Sequence, residues 1–250
     1  MRKISKLYQP GLWLIILAVS CTTSYQAQKV EYSDYRITSG LQHDSAIIKL
    51  LQPYADSINK TMNDVIAVSD MELSNKHPEG TLGNLLADAM RIVGEKKYNM
   101  HIDAAFMNSG GIRLPVVPKG DITLGKVYEI IPFDNVLILQ KVSGKVLLEF
   151  LNLTADRGGW PTSGITMQIK NKKAVNIKIG GADLNELATY TIANNDYVAN
   201  GGDNCQMLKD VPQINNGFLA RDAVVEYFKE LQQAGKKINA KIENRVTYAE

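Results

Sequence analysis

Histidine and cysteine are both scarce in this sequence. Its three histidines, His43, His77 and His101, lie apart and have no partner at a metal-ligand spacing, so a metal centre of its own is not expected. His77, beside Pro78, reads as a loop residue; His43 and His101 read as the starts of elements. No nucleophile–histidine–acid set stands out, and no glycine-rich loop of the phosphate-cradling kind is present. Excess charge is missing too. The net charge is +2, with no basic run and no patch of interleaved basic and aromatic residues, which argues against a nucleic-acid partner. There is no internal repeat and no low-complexity segment. The apolar run at residues 11–19 is far shorter than the roughly 20 residues that a membrane-spanning helix needs.

What is present is a core-forming chain behind an N-terminal leader. Of the 250 residues, 45% are hydrophobic and 22% charged, a balance that belongs to a globular protein rather than a disordered one. The leader reads as residues 1–20. Arg2, Lys3 and Lys6 form a basic start, GLWLIILAV follows, and Ala18-Val19-Ser20 leads to Cys21. Small residues followed by a cysteine resemble a bacterial lipobox, although Leu17 sits one place further back than usual. On that resemblance Cys21 is lipidated and becomes the mature N-terminus, at the periplasmic or outer face of a bacterial envelope. An ordinary secretory signal with a chance cysteine is the alternative. If Cys21 is lipidated, Cys205 is left alone, with no intrachain disulfide, as a structural thiol. Residues 21–43 are polar and unpatterned and read as a tether; the folded domain is expected over 44–250.

Within that domain, apolar residues at spacings of three and four predict a helix from Asp44 or Ser45 through Val65, kinked or split at Pro53. A strand is expected over 65–68 and a second helix over 82–93, closed by Gly94. The run 102–107 reads as a buried strand. Thr123 is placed to cap a short helix that stops before Pro132, and Ser143 to cap another after a strand at 136–142. Two alternating strands, 165–170 and 175–179, follow, then a buried strand at 190–193. A last helix is expected over 222–234, closed by Gly235, and a terminal strand over 246–248. Strands and helices mix without regular βαβ alternation, which makes the fold class α+β.

Three stretches stand out from this frame. Asn108-Ser109-Gly110-Gly111-Ile112-Arg113 ends a strand, turns through two glycines and delivers an arginine. Glycine permits a close approach by a ligand or a second backbone, and arginine offers a planar fork of donors. Ile131-Pro132-Phe133-Asp134-Asn135 puts an aromatic ring on a turn. The third, Asn195-Asp196-Tyr197-Val198-Ala199-Asn200-Gly201-Gly202-Asp203, leaves a strand through another ring and a glycine pair. Flat rings suit a base, a carboxylate suits a vicinal diol, and an arginine suits an anion. Each residue also has a plain structural use. Phe133 could plug the top of the core, Tyr197 could pack under the glycine turn, and Asp203 could cap that turn.

Together with Leu82-Gly83-Asn84-Leu85-Leu86-Ala87-Asp88-Ala89, these stretches fall in the order of the 5′-nucleotidase C-terminal domain. The chain resembles that domain from about residue 44 to residue 248. The resemblance implies a mixed-sheet sandwich with helices. It also implies a substrate-binding role beside a metallophosphoesterase domain, which would carry the divalent metals and the catalysis. No catalytic residue, metal or cofactor is then expected in this chain. By the same resemblance Phe133 and Tyr197 sandwich a base, and Asp203 accepts from the ribose hydroxyls. Asn108 lies near the base and Arg113 serves the phosphate or ribose side. Lys76 stands where the family has a further arginine, keeping the charge but losing the bidentate fork. Two functions follow as expectations. One is the specificity half of a split nucleotide phosphohydrolase, working with a separately encoded metallophosphoesterase. The other is a non-enzymatic, surface-anchored nucleoside-binding lipoprotein.

Overall fold

The computed structural model describes residues 31–33, 40 and 44–250. The expected leader and Cys21 lie outside the described residues, as does the tether apart from positions 31–33 and 40. Residues Lys49–Glu250 form one compact unit.

The first helix, α1 (Ser45–Met62), starts where Asp44 accepts from the backbone N–H groups of Ala46 and Ile47, at 2.8 and 3.2 Å. It is neither split nor ended at Pro53, contrary to expectation. Proline frees the carbonyl four positions back, that of Lys49, and on this exposed helix water can satisfy it. None of its residues is buried. The chain continues through β1 (Val65–Ser69), β2 (Leu73–Ser74) and α2 (Thr81–Tyr98). Gly94 does not close α2; the helix runs on to Asn99, which takes the left-handed conformation at φ 48°. Gly94 serves packing instead, because a Cβ there would lie 2.9 Å from Ile102 Cδ1 and 3.2 Å from Leu137 Cδ2.

Next come β3 (Ala104–Phe106), β4 (Val116–Val117), β5 (Gly120–Thr123) and α3 (Leu124–Ile130). Thr123 caps α3 by accepting from the Lys126 N–H, as its position predicts. Strand β6 (Leu137–Ser143) runs into α4 (Gly144–Asp156), whose N–H of Val146 donates to Ser143 Oγ. After it lie β7 (Thr162–Ser163), β8 (Ile165–Lys170), β9 (Lys173–Ile179), β10 (Ala182–Asp183) and β11 (Thr189–Asn195). Short helices α5 (Asp196–Ala199) and α6 (Gln206–Lys209) flank a 3-10 turn at Gly202–Asn204. The chain ends with β12 (Gln213–Ile214), α7 (Ala220–Gln233) and β13 (Val246–Tyr248).

A five-stranded sheet in the order β12-β6-β11-β3-β7 divides the interior. Side chains alternate along a strand, so successive residues enter opposite cores. Ala105, Leu139 and Ala193 face the core built with α2 and α7; Ala104, Phe106 and Ile192 face the core built with α4 and the β10-β9-β8-β13 sheet. Three aromatic rings lock the second core: Phe150 meets Phe106 at 4.9 Å and Trp160 at 5.8 Å between centroids, both edge to face. The observed class is the expected α+β, with mixed sheets packed against helices.

Strand direction decides where a site can form. Strands β11 and β3 are parallel, with Ile192 opposite Ala104, so their carboxyl ends emerge side by side. Strand β6 is antiparallel to β11, with Leu137 opposite Asn195, so it begins at that same edge. The three stretches singled out by sequence therefore leave one edge of one sheet.

Candidate functional site

At that edge lies a cavity of about 320 Å³ lined by Asn108, Gly110, Gly111, Arg113, Phe133, Asn135, Tyr197 and Asp203. Five of the six expected binding residues meet there. Lys76 does not; it is exposed on the loop before α2 and is not part of the lining. Its neighbour His77 bonds the Gly159 carbonyl through Nδ1 at 2.8 Å, so the Lys76 loop borders the turn after α4 instead.

Phe133 and Tyr197 line the same hollow without contacting each other's rings. Phe133 rides on the turn that ends α3, and that turn is braced by a residue the sequence reading passed over. Arg221, 4% exposed, reaches from the first turn of α7. It donates through Nη1 to the carbonyls of Phe133 at 3.2 Å and Ile131 at 3.5 Å, pairs with Asp134 through Nη2, and stacks over the Tyr128 ring at 3.9 Å. Nothing local in the sequence signals it, because its partners lie almost ninety positions away. On the cavity side, the Arg113 guanidinium stands 4.9 Å from the centroid of the Phe133 ring.

The opposite wall begins where β11 ends. Asn195 caps α5 by accepting from the Val198 N–H at 2.9 Å, and its amide donates to Asn108 Oδ1, also at 2.9 Å. Asn108, buried, passes the chain of bonds on: its Nδ2 donates to Asp203 Oδ2 at 2.9 Å. The resemblance puts Asn108 near a base, but here both ends of its amide engage protein. The glycine turn also has a definite use. A Cβ on Gly202 would come 2.5 Å from the Tyr197 carbonyl oxygen and 2.6 Å from its ring Cζ, so only glycine lets the tyrosine lie against the turn. Tyr197 is nonetheless 48% exposed and still lines the cavity. The structural use and the lining role coexist.

Asp203 and Asn204 are both left-handed, at φ 52° and 61°, a conformation that asparagine and aspartate tolerate better than most residues. Asp203 accepts from Asn108, lies 3.4 Å through Oδ1 from the Tyr197 hydroxyl, and lies 3.5 Å from Nη1 of Arg157. Arg157 is a second residue that the sequence reading did not single out; its only local hint is the Gly158-Gly159 pair that follows. Cys205, next to Asp203, is fully buried. Burial first, and the Asp203 carboxylate second, push its thiol up to about 12, while Arg157 opposes them. It stays protonated and unreactive near neutral pH, in line with a structural thiol. Among the described residues no group of three or more His, Cys, Asp and Glu side chains could hold a metal ion.

Comparison with known proteins bears directly on this edge of the sheet. The family described as 5'-nucleotidase, C-terminal domain matches residues 57–210, which contain all four sequence stretches. This chain belongs to the 5′-nucleotidase C-terminal domain family. It is 30% identical over 203 residues to a 5'-nucleotidase of Vibrio cholerae, covering 77% of this chain and 35% of the relative. It is 28% identical over 218 residues to a trifunctional nucleotide phosphoesterase of Bacillus subtilis, covering 78% of this chain and 14% of that protein. Among solved structures, a 5'-nucleotidase precursor from Thermus thermophilus superposes with a TM-score of 0.70 at 30% identity, covering 80% of this chain and 42% of that one. The chain thus spans about a third of the length of the curated 5′-nucleotidases it matches. The two bracing arginines fall differently: Arg157 lies inside the matched segment and Arg221 beyond its end.

Proposed function

We propose that this chain is the nucleotide- or nucleoside-binding specificity domain of a 5′-nucleotidase-type phosphohydrolase, and that it acts with a separately encoded metallophosphoesterase. One observation carries the reading. Two aromatic rings that do not touch each other line a cavity whose edge carries a carboxylate oriented by Asn108. Base stacking between aromatic rings is worth ~1–3 kcal/mol per base and tolerates any base. Asp203 supplies the acceptor for a ribose diol, and Arg113 supplies a cation at the Phe133 side. Divalent metals and hydrolysis belong, in this reading, to the partner. We place the pair at the bacterial envelope, this chain anchored through a lipidated Cys21; more than one acyl chain is needed for stable anchoring.

Calorimetry of the mature chain with adenosine, 2′,3′-dideoxyadenosine and adenine tests the binding role. Adenosine is expected to bind best, and Asp203→Ala to weaken adenosine more than adenine, since only the ribose carries the diol. Equal losses for all three ligands would make Asp203 structural. Hydrolysis of a nucleoside monophosphate is expected only when the metallophosphoesterase is added. Metal-dependent hydrolysis by this chain alone, abolished by substitutions within it, would overturn the division of labour. Cys21→Ser is expected to release the protein from the membrane fraction; retention there at unchanged mass would remove the anchor.

A further inference from the structure

Tyr197 and Asp203 are tied to each other in both directions. The Asp203 N–H donates to the Tyr197 hydroxyl at 3.2 Å, and that hydroxyl points back to Asp203 Oδ1 at 3.4 Å. A phenol is both donor and acceptor, so one hydroxyl satisfies both contacts. Arg157 Nη1 stands 3.5 Å from the same oxygen, while Oδ2 is held by Asn108 at 2.9 Å.

The position of Arg157 is itself determined by the fold. It terminates α4, and the chain then turns through Gly158 and Gly159 at φ 85° and 98°. The Gly159 N–H returns to the Thr154 carbonyl at 2.8 Å, and His77 binds the Gly159 carbonyl. A Cβ on Gly159 would lie 2.8 Å from the Pro78 carbonyl oxygen, so this turn too has no room for a side chain, although it is less tight than the Tyr197–Gly202 contact. Two close-packed glycine turns therefore bring a phenol and a guanidinium to one carboxylate.

We infer that the Tyr197 hydroxyl and Arg157 form a clamp that holds Asp203 in the orientation a vicinal diol requires, making both specificity-determining groups. The inference rests on the nucleoside reading given above. Asp203 sits in left-handed backbone, which an aspartate tolerates and which the bond from its N–H to the Tyr197 hydroxyl helps to hold. A carboxylate offers about four acceptor positions. The contacts at 3.4 and 3.5 Å orient Oδ1 without saturating it, and Oδ2 keeps a lone pair beyond the Asn108 bond. A ribose can therefore add to the carboxylate rather than displace its supports. Phenylalanine at position 197 would offer the same ring but leave Asp203 without this tie. Arg157 is a positioning residue: it touches Asp203 and lies outside the cavity lining.

Arg157→Gln and Tyr197→Phe test the clamp, with calorimetry against adenosine, 2′,3′-dideoxyadenosine and adenine. Each substitution is expected to cut the preference for adenosine over its dideoxy analogue by about tenfold, the scale of one hydrogen bond to a charged group. Arg157→Gln is expected to leave adenine affinity within about twofold, since stacking needs no carboxylate. Arg157→Lys should restore part of the preference, because a cation returns without the fork. A preference that survives both substitutions, or an adenine affinity that falls in step with adenosine, overturns the clamp. Amide exchange of the ligand-free protein separates this result from failure of the nucleoside reading. The Asp203 amide is expected to exchange faster in Tyr197→Phe. Unchanged exchange overturns the clamp even if adenosine binds. Faster exchange in a protein that binds none of the three ligands supports the clamp as a device of the fold and sinks the nucleoside reading instead.

Discussion

Phe133 and Tyr197 line one cavity, but the fold holds them by different means. The Phe133 turn is braced from behind by Arg221, a buried cation that belongs to α7 and is packed among core residues. The Tyr197 wall is held partly by its own neighbourhood, a hydroxyl six positions from Asp203 and a glycine turn, and partly by polar contacts from Asn108 and Arg157 elsewhere in the chain. The first wall is part of the framework, with Arg113 standing over its ring on the cavity side. The second is a network whose carboxylate has acceptor capacity left over. One wall is thus held from beneath by a buried cation, and the other by a polar network around Asp203.

The largest effect expected on this comparison is the loss of Arg221. Arg221→Met removes a donor from two carbonyls and should destabilise the protein by about 1.5–3 kcal/mol, the range for hydrogen bonds to a charged group. Urea denaturation reads this directly, and an unchanged midpoint would show that the Phe133 turn stands without its brace. The two ring deletions rank next. Phe133→Ala and Tyr197→Ala should each weaken adenosine binding by ~1–3 kcal/mol through loss of a stack. They should differ in stability. Tyr197→Ala also frees the Asp203 turn and should shift its amide exchange, whereas Phe133→Ala should leave that turn as it is. Identical exchange patterns in the two variants would erase the distinction between the walls.

The smallest effect concerns the Arg221–Asp134 pair. Asp134 is 78% exposed at its side chain, so solvent screens the pair and Asp134→Asn should cost well under about 1 kcal/mol. A loss comparable to that of Arg221→Met would mean the ion pair, not the carbonyl bonds, holds Phe133.

The comparison also separates what could be read early from what could not. The helix caps Thr123 and Ser143 were legible because a cap is a contact three residues long. That Phe133 and Tyr197 lie where the chain turns was legible because each closely follows the end of an element, α3 at Ile130 and β11 at Asn195. Gly94 has the local look of a helix end, yet its role is explained only by Ile102 and Leu137, which the fold packs against it. Pro53 was expected to break α1, but exposure removes much of the penalty that a buried helix would suffer. Lys76 shares the charge expected of a binding residue, yet its loop packs toward Gly159 rather than the cavity.

Composition and local pattern alone determined that this chain would fold around an apolar core, as α+β, with several of its helix starts and strand ends at the observed places. Those features depend on neighbours within one turn or one strand, and periodicity reports them. Tertiary structure alone decided that β3, β6 and β11 share an edge, and that Asn108, Asp203 and Arg157 meet there. It also decided that Arg221 lies beneath Phe133. Parallel pairing of β11 with β3, residues far apart in the chain, brings these groups together, and no local preference of either strand encodes it.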